Sequence, residues 1–484
     1  MGVENFIRGW KIGGCWLGLV LAGLAAMALP TEVKKRPTAT VPVRGQKVDG
    51  VSAKAAGAAG ISRPGGRAIE GSHNVYFKKR PTGTVPVLGQ KVDAAITRDA
   101  VTAGINYHGG PVMEGPHNVY FIWYGNWSGN TATSILPEFV ANLNGSSYFN
   151  INASYFDNSR HVPNSVSMAN QIFDSFSQGT TLTDDGVVAV VNRATFGGGL
   201  PLDGNGIYFV LTSADVDNTS SGGFCTKQCG FHTHFTNLIN LDIKYAFVGN
   251  PDRCLPFKCA AQSVGPNGNA GADAMASIIA HELAETVTDP DLNAWVDVAE
   301  NGDPQENADR CAGTFGSTFT TLNGAQANVT LGGRNYLLQQ NWVNSGPGFC
   351  ALAFQTLPVC YQAHVEDVGW QPQVCDGDVA GTVGQSRRME AIKITAPGRS
   401  ICYQAYLEND GLQGVKCDGA PAGTTDRGLR MEALKVWIQS GGGHTEYFGH
   451  VQDTGWTGPV RDGEIIGTIG ASLRLEAVVL RILP

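Results

Sequence analysis

Charged side chains are scarce in this sequence. Only 16% of its 484 residues are Asp, Glu, Lys or Arg, and the formal net charge is −8. The 34 Lys and Arg residues form no basic stripe along the chain. Binding to nucleic acid requires basic side chains that neutralise phosphates. We therefore expect no nucleic-acid partner.

Long apolar runs are also lacking after the first thirty residues. The single run, residues 12–29, follows Arg8 and Lys11 and contains a small-x-small site at 26–28. This pattern is typical of a secretory signal peptide, which we predict at residues 1–28. A permanent transmembrane anchor is the alternative, but the run is short and glycine-rich for crossing a bilayer. We expect a secreted, extracellular protein with no membrane span once the signal is removed.

Two common catalytic motifs are missing as well. The chain has no Gly-x-Ser-x-Gly elbow, so a serine hydrolase is not expected. The glycine-rich stretches at 197–199 and 265–271 lack the spacing and the Lys of a P-loop. We assign both stretches to turns.

Composition and repetition predict four parts of the chain. After the signal peptide, two blocks that both begin with Lys-Lys-Arg-Pro (34–77 and 78–121) indicate a duplication. The predicted parts are the signal peptide (1–28), a low-complexity, partly duplicated linker (29–99), a central domain (100–354) and a repeat domain (355–484).

The central domain alternates between strand and helix patterns, which predicts an α+β or α/β fold. One helix is predicted at 272–288, where the apolar residues have helical spacing and Asp289-Pro290 follows as a stop signal. The other predicted elements are a helix at 137–144 and strands at 119–124, 187–191, 208–212 and 245–248.

The repeat domain contains three copies of one pattern with a period of about 43 residues. Each copy opens at a tyrosine, continues through Asp-Gly and Gly-Thr pairs, and ends in Arg-(Met/Leu)-Glu-Ala; the tyrosines are Tyr361, Tyr403 and Tyr447. Several short strands in each copy predict an all-β, three-fold pseudosymmetric domain of β-trefoil or β-prism type.

The cysteines inside the repeats predict two disulfides. Cys360 and Cys375 occupy the same offsets as Cys402 and Cys417 in the second copy. In the third copy those offsets hold Glu446 and Arg461. An opposite-charge pair that replaces both cysteines together indicates that the two positions touch. We predict the pairs Cys360–Cys375 and Cys402–Cys417.

The cysteines of the central domain also favour disulfides, because an exported protein with an even number of thiols normally oxidises them. Cys311 and Cys350 form one predicted pair. The remaining four cysteines of the domain are Cys225, Cys229, Cys254 and Cys259. Four cysteines can form two disulfides in three different ways, so their connectivity stays open. A zinc knuckle formed by Cys225 and Cys229 with His232 and His234 is the alternative, but its spacing is poor. His232 or His234 could still line a cleft.

The predicted helix at 272–288 carries the sequence His281-Glu282-Leu283-Ala284-Glu285. His281 and Glu285 are one turn apart on the same face, so both can reach one metal ion. Glu282 is the candidate general base that activates a bound water. This is a metallopeptidase-like helix, with Glu285 in place of the second His of His-Glu-x-x-His.

A third ligand is needed for such a site. Glu306 follows at a distance similar to that of the second-helix Glu ligand in thermolysin-like zinc peptidases, which this segment resembles. By the same resemblance, Asp309 is the nearby supporting aspartate. The sequence thus predicts Zn²⁺ bound by His281, Glu285 and Glu306.

Two alternatives to the zinc site remain open. The acidic loop that follows the helix suggests a Ca²⁺ site built from oxygen ligands, with the candidates Asp289, Asp291, Asp297, Glu300 and Asp303. Alternatively, the helix is purely structural, and Glu282 and Glu285 are surface charges.

Much of the central domain resembles the EXORDIUM-like, phosphate-induced family of secreted plant proteins. The resemblance starts with the segment Gly-Pro-His-Asn-Val-Tyr-Phe-Ile-Trp-Tyr-Gly-Asn-Trp at 115–127 and includes the helix motif at 281–285. Further blocks occur in order at 208–215, 223–232, 245–250, 265–268, 293–295 and 306–316. The resemblance implies an extracellular or cell-wall protein linked to growth responses, of a family whose biochemical activity is not established.

The C-terminal copies resemble clostridial hydrophobic repeats with a tryptophan. Gly369-Trp370 and Gly455-Trp456 carry the signature, and Gly411-Leu412 departs from it. The resemblance implies attachment to surfaces, with a cell-wall or extracellular polysaccharide or protein as partner. Exposed Trp can stack on sugar rings. The alternative is that these Trp side chains are core residues, which Leu412 favours.

Together these patterns predict a secreted protein with a zinc-dependent, peptidase-like hydrolase site and a surface-binding repeat module. The alternative is a non-catalytic extracellular binding or signalling protein with a structural calcium or no metal.

Overall fold

The computed structural model describes residues 105–219, 222–254, 258–298 and 304–484. The predicted signal peptide and the duplicated linker lie outside these residues. No helix in the described part of the chain is both long and apolar enough to cross a membrane.

A five-stranded sheet forms the centre of the first domain. Its order is β2-β1-β4-β7-β6, and all neighbours are parallel except β6 and β7. β1 and β4 are almost wholly buried and apolar along their length, as expected for central parallel strands. The strands are β1 His117–Tyr124, β2 Val166–Asp174, β4 Gly206–Thr212, β6 Gly230–Thr236 and β7 Asp242–Gly249, with a separate pair β3 Thr181–Leu182 and β5 Asp217–Asn218.

Three α-helices accompany this sheet in the described residues: α1 Ala132–Leu143, α2 Asp184–Thr195 and α3 Ala270–Thr288. α1 and α3 pack against each other, α3 also covers β6 and β7, and α2 packs on β1 and β4. The mixed α/β fold and the predicted helix at 272–288 are thus confirmed, as are the strands at 119–124, 208–212 and 245–248.

The predicted strand at 187–191 is wrong, because these residues lie inside α2. The Thr183 hydroxyl caps this helix by accepting a hydrogen bond from the Gly186 amide (3.1 Å). Asp184 and Asp185 in the first turn complement the helix dipole. The cap and dipole signals therefore outweigh the β-propensity of a short valine run.

The rest of the domain consists of short elements, several of which contact α1 and α3. Among the described residues, 3₁₀ turns lie at Phe149–Ser154, Pro251–Arg253 and Asp309–Cys311. The remaining strands are β8 Asp297–Val298, β9 Pro304–Gln305, β10 Phe319–Thr320, β11 Gln326–Ala327, β12 Val329–Leu331, β13 Arg334–Tyr336, β14 Asn341–Val343 and β15 Phe349–Ala351.

The C-terminal region is all-β, as predicted, and each repeat contributes its own antiparallel sheet. The first repeat provides β16 Cys360–Val365, β17 Gly369–Trp370, β18 Val374–Cys375, β19 Ala380–Gly381 and β20 Met389–Thr395. The second provides β21 Ser400–Leu407, β22 Gly411–Leu412, β23 Lys416–Cys417, β24 Ala422–Gly423 and β25 Met431–Ser440. The third provides β26 His444–Val451, β27 Gly455–Arg461, β28 Ile466–Gly467 and β29 Leu475–Leu483.

One two-residue strand of each repeat crosses into another repeat's sheet. β24 pairs with β20, β28 pairs with β25, and β19 pairs with β29, so the exchange closes in a cycle of three. Each of these strands ends on the glycine of the repeated Gly-Thr pair. A Cβ on Gly381 (φ 114°) would lie 2.3 Å from the Glu476 carbonyl oxygen, so only glycine allows this approach.

The repeated tyrosines close the same cycle. The hydroxyl of Tyr361 accepts a hydrogen bond from the Leu480 amide in the third repeat (3.0 Å). Tyr403 and Tyr447 accept matching bonds (3.1 Å each) from Ile394 and Val436. The sequence signature is therefore a set of contacts between repeats, which is why a single copy would not bury its core.

The described cysteines are all in disulfides, and every predicted pair is confirmed. Cys360–Cys375 and Cys402–Cys417 each join directly opposed residues of paired strands. Glu446 and Arg461 are opposed in the same way in the third repeat, 2.7 Å apart. In the central domain the open connectivity resolves to Cys225–Cys254 and Cys229–Cys259, beside Cys311–Cys350.

The central domain and the repeats pack into one compact unit. Glu446 of the third repeat accepts hydrogen bonds from the Ser345 hydroxyl (2.9 Å) and the Gly346 amide (3.0 Å). Arg481, which is 1% exposed, donates to the Ala153 carbonyl (3.3 Å). The predicted boundary at 354/355 falls between β15 and β16 and stays a prediction.

Candidate metal centre

Helix α3 supplies the central residues of the candidate site. The Asn269 side chain caps it by accepting a hydrogen bond from the Ala272 amide (3.0 Å), and Asp273 lies in its first turn. Almost every residue of the helix is buried, because α1, β6 and β7 pack around it. His281, Glu282 and Glu285 are therefore inside the domain and not on its surface.

The first group of candidate ligands consists of His281, Glu285 and Asp309. The His281 Nε2 atom lies 3.2 Å from Glu285 Oε1 and 3.4 Å from Asp309 Oδ1. One ligand atom from each residue lies within 4.8 Å of the others, so one cation could contact all three. Asp309 is held in place by its 3₁₀ turn, which ends at the Cys311–Cys350 disulfide.

Two neighbouring contacts fix the orientation of this group. The Asp309 amide donates a hydrogen bond to Glu285 Oε1 (3.2 Å). The side-chain amide of Gln339 lies 3.1 Å from His281 Nδ1 and also donates to the Ala308 carbonyl (2.8 Å). The imidazole therefore turns its Nε2 atom toward the two carboxylates.

His232 on β6 forms a second group with the same helix. Its Nδ1 atom lies 3.4 Å from Glu282 Oε2 and 3.3 Å from Glu285 Oε2. Its Nε2 atom lies 3.7 Å from Glu306 Oε1. Glu285 thus lies between two imidazoles, one on each of its carboxylate oxygens.

The whole cluster is withdrawn from solvent. The exposed fraction is 8% for His281 and 7% for Asp309, and it is 3% or less for the other four residues, His232, Glu282, Glu285 and Glu306. Burial alone lowers the pKa of His281, but the carboxylates of Glu285 and Asp309 outweigh it and hold this pKa well above its ordinary value. The protein groups alone thus make the site strongly attractive to positive charge.

The predicted ligand set is arranged differently from the expectation. His281 and Glu285 face a common point, as predicted from their helical spacing. Asp309, expected as a supporting residue, offers the third candidate ligand atom, whereas Glu306 lies at His232. The candidate base Glu282 faces His232 and not an open cleft. Metal binding itself stays a prediction.

The acidic loop after α3 uses its described carboxylates elsewhere. Asp289 Oδ1 accepts hydrogen bonds from the Asn293 and Ala294 amides, both at 2.7 Å. Asp291 lies 3.2 Å from the Lys244 ammonium, and Asp297 pairs with Arg310. Glu300 and Asp303, the other two calcium candidates, lie outside the described residues. The three described residues point at different partners.

His232 is the member of the cluster that sequence reasoning identified least well. The His-x-His pattern on β6 offered His232 and His234 equally. The structure brings His232 to α3, while His234 contacts Asp242 (2.8 Å) in a separate, half-buried group. Which of the two histidines joins the cluster therefore depends on how β6 packs against α3.

Comparison with known proteins places both parts of the chain. The family model described as the phosphate-induced protein 1 conserved region matches residues 105–342. The model described as clostridial hydrophobic W matches three segments, 364–396, 406–440 and 450–484. No solved structure gave a significant match.

Curated relatives match the first of these regions. The chain is 32% identical over 257 residues to Protein EXORDIUM-like 5 of Arabidopsis thaliana, which covers 46% of this chain and 70% of that protein. It is also 32% identical to Protein EXORDIUM-like 3 of the same plant (46% and 75% covered). Protein PHOSPHATE-INDUCED 1 of Nicotiana tabacum is 26% identical (40% and 67% covered).

Proposed function

The chain belongs to the phosphate-induced, EXORDIUM-like family, and from this premise we propose that it is a secreted, non-catalytic extracellular binding protein. In this proposal the cluster around Glu285 holds one structural divalent cation. The C-terminal repeats attach the protein to an extracellular surface.

The burial of the Glu285 cluster is the observation that carries the non-catalytic assignment. A catalytic zinc site keeps one coordination position open to water and substrate. A general base must also come within hydrogen-bond reach of the substrate or its water. Glu282 is 3% exposed and faces His232, so it lacks this access. A cation bound at this depth would hold elements of the fold together, because a substrate could not reach it as it would in a peptidase cleft.

The donor atoms of the cluster indicate the class of cation. Ca²⁺ prefers six to eight oxygen ligands, whereas Zn²⁺ and related ions accept imidazole nitrogen with carboxylate oxygen. The group His281, Glu285 and Asp309 offers one nitrogen and two carboxylates. We therefore assign a zinc-class ion to these three residues. When bound, it would neutralise buried carboxylates and tie α3 to the 309–311 turn.

Secretion is supported by the signal-peptide pattern at 1–28 and by the five disulfides, which persist in oxidising compartments. For the repeats we infer a β-prism-like arrangement. Its support is that the strands form three separate sheets joined by a cyclic exchange, and not one closed barrel.

Elemental analysis and an activity assay on the purified secreted chain test the proposal together. We expect about one equivalent of a zinc-class ion, lost in His281→Ala, and no hydrolysis of peptides or esters. A turnover that disappears in Glu282→Gln while the metal stays bound would overturn the non-catalytic assignment. A chain that purifies with calcium and no zinc-class ion would overturn the assignment of the cation.

A further inference from the structure

A cleft at the junction of the two domains has the chemistry of a saccharide site. We propose that this junction cleft binds a neutral oligosaccharide between the central domain and the third repeat. The inference rests on the proposed role as an extracellular binding protein and specifies its ligand class and the position of its site.

Aromatic rings from both domains line the junction cleft. Tyr107 and Trp295 come from the central domain, with ring centroids 5.2 Å apart. Trp456 comes from the third repeat and packs edge-on against Phe156 (5.2 Å). Tyr107 and Trp456 are partly exposed, and the buried rings of Trp295 and Phe156 support them. The C–H faces of a sugar ring stack on exposed aromatic surfaces such as these two, while its hydroxyls remain free for hydrogen bonds.

The polar side chains of the cleft are amides, hydroxyls and one imidazole, that of His450, which contacts Glu476 (2.9 Å). Asn106, Asn158, Asn344 and Thr454 line it, and among the described residues no Asp, Glu, Lys or Arg does. No carboxylate, ammonium or guanidinium among the lining side chains is there to pair with a charged ligand, whereas amides both donate and accept the hydrogen bonds that sugar hydroxyls need. Pockets at domain junctions with aromatic walls and a few polar groups are typical ligand sites.

The third repeat differs from the first at the position that forms the cleft. Trp370 and Trp456 occupy equivalent positions, and each packs edge-on against a histidine, His364 or His450. Only Trp456 lines the cleft, where its indole N–H donates to Asn158 Oδ1 (3.0 Å). The Trp370 ring is instead covered by the Lys393 ammonium at 4.1 Å.

The same repeat is fixed rigidly to the central domain. Arg461 and Glu446 both hydrogen-bond the Ser345 hydroxyl (3.0 and 2.9 Å) next to the cleft. The walls therefore need little rearrangement before a ligand binds, which favours affinity. Because half of the lining belongs to the central domain, the repeats alone would not form the site.

Affinity gel electrophoresis of the full secreted chain tests this inference. The gels contain hydroxyethylcellulose, mannan or arabinoxylan as neutral probes and polygalacturonate as the acidic control. We expect at least one neutral probe, and not polygalacturonate, to retard the chain. Trp456→Ala should weaken this retardation about tenfold. Trp370→Ala is the matched control and should leave it unchanged.

A second variant covers the possibility that Trp456→Ala disturbs folding. Thr454 is exposed at the cleft, so Thr454→Arg blocks the cleft without removing packed atoms and should weaken retardation as strongly. Equal losses in Trp370→Ala and Trp456→Ala would overturn the junction site yet leave attachment through the repeats standing. Retardation by none of the neutral probes, or by polygalacturonate alone, would also overturn it.

Discussion

The carboxylates buried in the repeats each have an arginine partner, whereas Glu285 beside α3 lies between two imidazoles. In the repeats, Glu390, Glu432 and Glu476 are 4–5% exposed, and each pairs with the arginine two residues before it, at 2.6–2.9 Å. Glu390 and Glu476 also contact an imidazole, that of His364 (3.2 Å) or His450 (2.9 Å). Glu446 is fully buried and contacts Arg461 and Arg481. Beside α3, the described contacts of Glu285 include two imidazoles, His281 and His232.

In the repeats the chain itself neutralises the buried carboxylates, whereas beside α3 the arrangement suits neutralisation by a bound cation. A guanidinium keeps its charge at any physiological pH and cannot bind a metal. An imidazole changes its charge near neutral pH and is the commonest metal ligand. Each of these repeat carboxylates therefore has a permanent positive charge beside it, with or without an imidazole, while Glu285 lies between two imidazoles that can also bind a cation.

The largest effect should come from Glu285, because it contacts both imidazoles. Glu285→Gln keeps the shape but removes the charge, so we expect loss of the cation and of about 3–5 kcal/mol in the free energy of unfolding. Denaturant unfolding with and without a chelator measures both effects. A Glu285→Gln variant with wild-type stability would contradict the claim that the carboxylates beside α3 depend on a bound cation.

A smaller effect is expected when a guanidinium partner is removed from the repeats. Arg461→Met leaves Glu446 with Arg481 as its one described cationic partner and removes the hydrogen bond from Arg461 to the Ser345 hydroxyl. We expect a loss of about 2–3 kcal/mol, because a buried charge loses one of its two partners. The bound metal should be unaffected. A variant that also lost its metal would show that the two regions are coupled.

The smallest net change should follow when the ion pair is exchanged for the disulfide of the other repeats. Glu446→Cys with Arg461→Cys places two cysteines at the paired positions that Cys360 and Cys375 occupy in the first repeat. Arg481→Thr is added, because this buried guanidinium would otherwise lose its Glu446 partner and because the first repeat has threonine at the equivalent place. Closing the short loop contributes about 3 kcal/mol, which offsets the lost ion pair. Mass spectrometry without reduction detects the new bond. Two free thiols would refute the equivalence of these positions.

The sequence predicts most of what depends on local pattern or on repetition. The alignment of the three copies identified Cys360–Cys375, Cys402–Cys417 and the contact of Glu446 with Arg461. Two cysteines that are replaced together by an opposite-charge pair must lie at positions that touch. The helical spacing of His281 and Glu285 likewise places both on one face of α3. These predictions need only one element or one repeat at a time.

The remaining features depend on how distant elements pack. Asp309, and not Glu306, lies beside His281 because of the 3₁₀ turn at Asp309–Cys311. No short sequence motif predicts this turn. The selection of His232 over His234 needs the contact between β6 and α3. The valine run inside α2 was ambiguous because short apolar runs fit both strands and helices, and the cap at Thr183 decided it.

Native mass spectrometry of the purified chain before and after chelation tests the central claim most directly. The account predicts that the wild-type chain and Glu390→Gln each lose the mass of one divalent ion on chelation, and that Glu285→Gln carries none. The thermal midpoint should fall on chelation only where that ion was bound. A wild-type chain that carries no ion, with the same midpoint in chelator and in added zinc, would contradict it.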